Sequence, residues 1–314
     1  MSSEAIQVEH LRHVYGTRVA LDDVSFSVAR GEIFGLLGPN GGGKTTLFKI
    51  LSTLMPATAG SASVFGDALH LAPAAVRRHL GVVFQHPSLD DKLTVHENLT
   101  CHGYLYGMHG ARLEQRTQTV LQRLGLAERA AERVEKLSGG LQRRTELAKA
   151  LLHEPPVLLL DEPSTGLDPG ARRDFIQYLR ELRERDGVTV VLTTHYMDEA
   201  ERCDRVAILH QGKLVSVGPP AELKNRVGGD IVVLQTPDPA RLRDKIQERF
   251  ACAATLVDGT VRVERPRGHE FVRDVVDAFP SDITFVTYGK PTLEDVFIHL
   301  TGHRFWGSGA EDNA

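Results

Sequence analysis

Ile33-Phe34-Gly35-Leu36-Leu37 runs directly into Gly38-Pro39-Asn40-Gly41-Gly42-Gly43-Lys44-Thr45-Thr46, after which Leu47, Ile50, Leu51 and Leu54 recur at helical spacing. Residues 38–45 match GxxxxGK[ST], set between an apolar strand and a helix start, as a phosphate-binding loop requires. The glycines let the backbone curl until successive N–H groups point at phosphate oxygens, and the helix N-terminus behind them adds a favourable dipole. Lys44 then offers charge to the β and γ phosphates, and Thr45 a hydroxyl to Mg²⁺.

Working outward, short strand-like runs alternate with helical ones. Val157-Leu158-Leu159-Leu160 ends in Asp161-Glu162-Pro163, and Val188 to Thr194 ends in His195. Such alternation predicts an α/β domain on a mostly parallel sheet. Alternating segments at Ile6 to Leu11 and Val24 to Val28 predict a flanking antiparallel layer. From about residue 87 to 154 the chain is helix-rich, with Val120, Leu121, Leu124 and Leu126 on one apolar face, and reads as a helical subdomain inserted in the core. An acidic pair closing a buried strand suits metal work: Asp161 to hold Mg²⁺, Glu162 to orient and deprotonate a water. Strand-end solvation is the plain alternative, and it loses ground once a phosphate loop precedes the pair.

The 314 residues suffice for about two domains. With 37 basic and 41 acidic residues, the formal charge of −4 disfavours general nucleic-acid binding. Three scattered cysteines form no CxxC pair and fit a reducing cytosol. The longest aliphatic run, Val157 to Leu160, is far short of the ~20 apolar residues of a membrane helix. The opening MSSEAIQVEH has no signal-peptide character.

Leu137-Ser138-Gly139-Gly140 precedes Asp161 by about one helix and a turn. Tyr15, the phosphate loop, Gln85, this LSGG, Asp161-Glu162, Ser164-Thr165-Gly166-Leu167-Asp168 and His195 make an ordered series. The series resembles the ATP-binding subunit of ABC transporters over residues 5 to about 225, and more weakly beyond. The ending PTLEDVFIHLTG resembles daunorubicin-resistance-type subunits of the drug-export branch.

The resemblance implies a P-loop ABC ATPase with ATP and Mg²⁺. It assigns Glu162, His195 and Gln85 to catalysis, and Thr45, Gln85 and Asp161 to the metal. Tyr15 stacks on adenine, residues 38–46 cradle the phosphates, and Asp168 lies in a dimer loop. Ser138, Gly139 and Gly140 contact ATP held by the opposite subunit, so the site needs a second copy or a homologous ATPase subunit. A separate integral membrane permease, with the chain peripheral on its cytoplasmic face, follows from the same resemblance. Read as residues alone, Tyr15 also suits a structural tyrosine, Gln85 a loop amide and Ser138 a simple helix cap. The usual signature continues with Gln, whereas this chain has Leu141, a feature of the exporting branch. Arg143 and Arg144 read as a solvated basic face or as residues that reach the opposite nucleotide. A non-transport ABC protein of translation or DNA repair is the alternative, although a single cassette without long coiled coils argues against it. The cargo is not legible.

Gly228-Gly229 reads as the boundary between an ATPase domain, 1–228, and an accessory domain, 229–302, with a tail at 303–314. Beyond the glycines the order βαββαβ predicts a small ferredoxin-like α+β domain. Thr292 is the expected N-cap of a last helix, with Asp295 reaching back. Leu293, Val296, Phe297 and Leu300 are its expected face for docking on the same or the opposite ATPase domain, a passive stability domain being the alternative, and Trp306 is an expected packing residue. The surface from Pro87 to Gly107, with Leu89, Leu93, Leu99, Tyr104 and Tyr106, is the expected docking site for the membrane partner, an ordinary core role being the alternative for any one of these residues.

Overall fold

The computed structural model describes residues 4–302 and Phe305. The expected tail, including Trp306, otherwise lies outside the described residues. Two compact units divide the chain, 1–214 and 215–314. Gly228-Gly229 falls inside the second unit, between a short helix and a strand, and not at this division.

In the first unit, β1 (Glu4–Tyr15) and β2 (Arg18–Ala29) form an antiparallel hairpin. Next come β3 (Ile33–Leu37), α1 (Lys44–Leu51), β4 (Ala59–Val64), β5 (Asp67–Ala68), α2 (Pro73–His79) and β6 (Leu80–Val83). The helical stretch holds α3 (Val95–Leu105), α4 (Gly110–Arg123) and α5 (Gly139–Leu151). It is followed by β7 (Val157–Asp161), α6 (Pro169–Asp186), β8 (Thr189–Thr194), α7 (Met197–Ala200) and β9 (Arg205–His210). The strand β10 (Lys213–Gly218) runs across the division.

β9, β3, β8, β7 and β6 lie side by side in that order, with parallel pairing throughout. Their near-continuous apolar runs suit burial on both faces: every residue of β3, β7 and β8 is buried. The antiparallel layer has the order β2-β1-β4-β5. Parallel alignment brings the C-terminal ends of β3, β6, β7 and β8 to one edge, where Gly38, Gln85, Glu162 and His195 follow. Open α/β sheets bind ligands at such an edge. The helical face expected on α4 is formed, with Val120, Leu121, Leu124 and Leu126 all buried. Helix α1 stops at Leu51, and Leu54, expected on its apolar face, is 59% exposed.

In the second unit α8 (Pro220–Asn225) precedes β11 (Asp230–Gln235), α9 (Pro239–Phe250), β12 (Ala254–Val257), β13 (Thr260–Arg265), α10 (Gly268–Ala278), β14 (Phe285–Gly289) and α11 (Leu293–Thr301). Its antiparallel sheet has the order β12-β13-β11-β14. Val232, Leu234, Leu242, Ile246, Phe271 and Val275 pack between sheet and helices. A capping box opens α11: Thr292 accepts from the Asp295 N–H, and Asp295 from the Thr292 N–H. The helix lies against α8 and buries Leu293, Val296 and Phe297. Leu300 is 37% exposed, and Ile298 is buried in its stead.

Candidate functional site

The phosphate loop holds its shape because glycine is required at particular positions. Gly43 has φ 106°, and a Cβ there would lie 2.9 Å from the Ala20 carbonyl oxygen. A Cβ on Gly38 would lie 2.4 Å from the Leu209 carbonyl oxygen. With Gly43 as its N-cap, α1 has no side-chain cap, so its first N–H groups point out uncapped. A cavity of about 380 Å³ opens here, lined by Tyr15, Pro39, Asn40, Gly41, Gly43, Lys44, Thr45, Thr46, Gln85 and Glu162. Arg18 and Ala20 line it too, and neither was expected from the sequence. The Tyr15 hydroxyl donates to Met55 Sδ at 3.2 Å, and its ring meets His13 edge-on, which fixes the ring at the cavity mouth.

Lys44 is 4% exposed, and its Nζ donates to the Gly38 oxygen at 2.6 Å and the Pro39 oxygen at 3.1 Å. Burial lowers the ammonium pKa below its ordinary value, and Glu162 and Asp161 oppose that shift. Asp161 is also buried, which raises its carboxyl above the usual range against a hydrogen bond from Thr193. The Thr193 hydroxyl donates to Asp161 Oδ1 at 2.6 Å and accepts the Glu162 N–H at 2.9 Å, so one residue of β8 ties both acidic positions to the sheet.

Glu162 adopts φ 43°, a left-handed conformation that costs a non-glycine residue about 1–3 kcal/mol. The turn carries its carboxylate back over the loop. Oε1 lies 3.7 Å from Lys44 Nζ, while Oε2 accepts from Gln85 Nε2 at 3.2 Å and lies 3.2 Å from His195 Nδ1. All three expected catalytic residues therefore meet at one carboxylate.

Ser138, Gly140 and Asp168 are not brought to this cavity. They line a second one in the same unit, of about 810 Å³, between α4, α5 and α6. Ser138 caps α5 by accepting from the Leu141 N–H, and Gly139 opens that helix. Asp168 caps α6, and the N–H groups of Ala171 and Gly170 hold its carboxyl below the usual range.

The protein named Nod factor export ATP-binding protein I of Paraburkholderia xenovorans (strain LB400) is 38% identical over 96% of this chain and 98% of its own length. The chain belongs to the ABC transporter family. A family model described as ABC transporter matches residues 21–165 of this ABC ATPase. Daunorubicin resistance ATP-binding protein DrrA3 of Streptomyces coeruleorubidus is 37% identical over 96% of this chain and 97% of its own. Among solved structures, the dimeric post-hydrolysis state of an ATP-binding cassette bound to ADP and Pi aligns with TM-score 0.63. It is 29% identical, over 68% of this chain and 98% of that one.

Two features of this ABC ATPase depart from the sequence reading or escape it. Arg143, expected on a solvated basic face with Arg144, is 6% exposed, whereas Arg144 is exposed. Its guanidinium satisfies backbone carbonyls that the strand ends leave open, and this outweighs the cost of burial. Glu199 of α7 is 1% exposed and accepts from the hydroxyls of Ser164 and Thr194, joining the segments that carry Asp168 and His195. Burial pushes its carboxyl up to about 7. The guanidinium of Arg172 stacks 3.6 Å over the Tyr196 ring beside it.

Proposed function

We propose that this ABC ATPase powers a membrane exporter, with two copies closing over two MgATP and separating after hydrolysis. The observation that carries the reading is the separation within one unit: Lys44, Gln85 and Glu162 line one cavity, with His195 3.2 Å behind the Glu162 carboxylate, and Ser138, Gly140 and Asp168 line another. A chain with one phosphate loop and one signature turn in different cavities completes its site by presenting the second to a partner's nucleotide. The names of relatives that export Nod factors and confer daunorubicin resistance support an export role.

In this reading Tyr15 stacks on adenine, worth about 1–3 kcal/mol by analogy with base stacking elsewhere. The N–H groups of residues 38–46 and Lys44 hold the phosphates. The Thr45 hydroxyl, Asp161 carboxylate and Gln85 amide oxygen are hard oxygen donors, and they fit Mg²⁺ better than a soft metal. Gln85 spends its Nε2 on Glu162, which leaves the amide oxygen for such a role. When bound, Mg²⁺ neutralises charge on the phosphates. Glu162 takes the proton of the attacking water. His195 and Gln85, each 3.2 Å from Oε2, hold that carboxylate in line. Ser138 and the first turn of α5 meet the γ-phosphate across the dimer.

Among the described residues no helix is long and apolar enough to cross a membrane. In this reading a separate permease carries the transport path, with this chain on its cytoplasmic face and no nucleic-acid partner. The docking surface is the end of α3, where Tyr104 and Leu105 are 55% and 82% exposed; Leu99, expected among the anchors, is fully buried in the core. Cargo of hydrophobic drug, lipid or polymer type is consistent with the branch. The test is a pull-down from detergent-solubilised membranes with the wild-type chain and Leu105→Glu. An integral membrane protein retained by the former and lost by the latter, with ATP binding unchanged, supports the reading. Ribosomes or DNA in its place overturn it.

A further inference from the structure

One face of α5 is charged and yet buried. Arg143, Glu146 and Lys149, spaced three residues apart, are 6%, 0% and 8% exposed, and none of them lines the nucleotide cavity. Burying three charged groups is costly unless each is paired or hydrogen-bonded. Lys149 Nζ donates to the Ser88 oxygen at 2.9 Å, and Glu146 Oε1 accepts the Ser88 N–H at 2.7 Å. Arg143 is used differently, because its donors reach main-chain oxygens on two separate segments. Nη1 donates to the Phe84 oxygen at 2.5 Å and Nε to the Pro163 oxygen at 2.7 Å. Nη2 donates to the oxygens of Asp161 and Glu162 at 3.1 and 3.3 Å.

Phe84 immediately precedes Gln85, and the other three carbonyls surround Glu162. A single rigid, planar fork thus spans the exits of β6 and β7 and sets the spacing between the two residues that meet at Glu162 Oε2. The same helix begins at the Ser138 cap, so the fork joins the catalytic carboxylate to the signature turn through one helical turn. Lys149 and Glu146 hold the far end of the Gln85 loop at Ser88 on the same helix, which leaves that loop little freedom to move apart from α5.

We infer that Arg143 is a positioning residue for hydrolysis: it holds Glu162 and Gln85 in mutual register and ties both to the signature helix. This rests on the ATPase reading above. Lysine keeps the charge but places its donors on one atom, so it cannot serve carbonyls on both segments. A merely stabilising arginine would affect folding and nucleotide affinity together. A positioning arginine affects turnover alone, and only while Glu162 is there to be positioned.

The test uses the full chain with Arg143→Lys, Glu162→Gln and the double variant, measuring single-turnover ATP hydrolysis, affinity for a fluorescent ATP analogue and thermal midpoint. Arg143→Lys is expected to slow hydrolysis by about tenfold or more with affinity within about threefold of wild type. In the Glu162→Gln background it is expected to add less than about twofold, because the group it positions is already gone. Wild-type turnover in Arg143→Lys overturns the inference, as does an equal loss in both backgrounds or a parallel loss of affinity and thermal stability. If Arg143→Lys does not fold, Arg143→Gln carries the same measurements. Failure of both to fold assigns the residue to stability and also overturns the inference. Wild-type turnover in Glu162→Gln itself contradicts the ATPase reading, so the two failures are distinguishable.

Discussion

Gln85 and Glu162 leave adjacent parallel strands and meet in space, with Gln85 Nε2 donating to Glu162 Oε2 at 3.2 Å. Because the contact is to the same oxygen that His195 approaches, any displacement of Gln85 is felt at the carboxylate assigned to the attacking water. A change sensed at one strand end therefore has a short route to the chemistry.

Removing Lys44 tests the phosphate assignment. Lys44→Ala is expected to weaken ATP binding by about 1.5–3 kcal/mol, the worth of hydrogen bonds to a charged group, or roughly 10- to 150-fold in Kd. Adenosine, which has no phosphate, is expected to bind the variant and wild type alike. Calorimetry with both ligands checks this, and equal ATP affinity removes Lys44 from the site.

Glu199 gives a pH prediction with a definite sign. Its folded pKa of about 7 exceeds the ordinary 4.5, so the folded protein keeps a proton that the unfolded chain releases. The associated stability, at most about 3 kcal/mol, is fully present below the unfolded pKa and is lost as pH rises through about 7. The thermal midpoint of wild type relative to Glu199→Gln should therefore fall between about pH 5 and pH 8. His102 and His153, whose burial pushes each down to about 4, act with the opposite sign below 6.5. They are common to both proteins and cancel in the difference. A pH-independent difference contradicts the assignment.

Phe297 tests the division of labour between the units. It is 1% exposed, with its ring edge-on to Phe305 at 5.1 Å. Phe297→Ala is expected to destabilise the second unit by about 3–5 kcal/mol. ATP affinity should stay at the wild-type value, as measured by calorimetry alongside denaturant unfolding. A large loss of affinity at temperatures where the variant remains folded contradicts the separation.

Much of this was legible in the chain because each element carries its own local signal. The phosphate loop needs glycine where a Cβ would strike a carbonyl, β7 is a continuous apolar run up to Asp161, and β8 is a mostly β-branched run ending next to His195. In the second unit the turns and alternation mark β11 to β14 but not β10, and the Thr292–Asp295 capping box is readable from four residues. Arg143 was not legible, because its burial is set by carbonyls from two strands that only the tertiary fold brings to α5. Its spacing with Glu146 and Lys149 was the available clue. Leu300 and Ile298 were both apolar residues of one short helix, and spacing from Leu293 alone did not decide between them. Gly228-Gly229 marks the turn into β11, a local property that does not report where a unit ends. Gly187 shows the same limit, since a left-handed C-cap at φ 67° closes α6 within the first unit.

The central claim is that the cavity holding Glu162 is completed by a second copy and emptied by hydrolysis. Size-exclusion chromatography of Glu162→Gln with and without MgATP tests it most directly. The variant keeps Lys44, the loop N–H groups and the Ser138 turn while losing the base, so nucleotide should hold it as a dimer that returns to monomer when MgATP is removed. A Glu162→Gln chain that binds ATP to saturation and elutes as a monomer throughout contradicts the account.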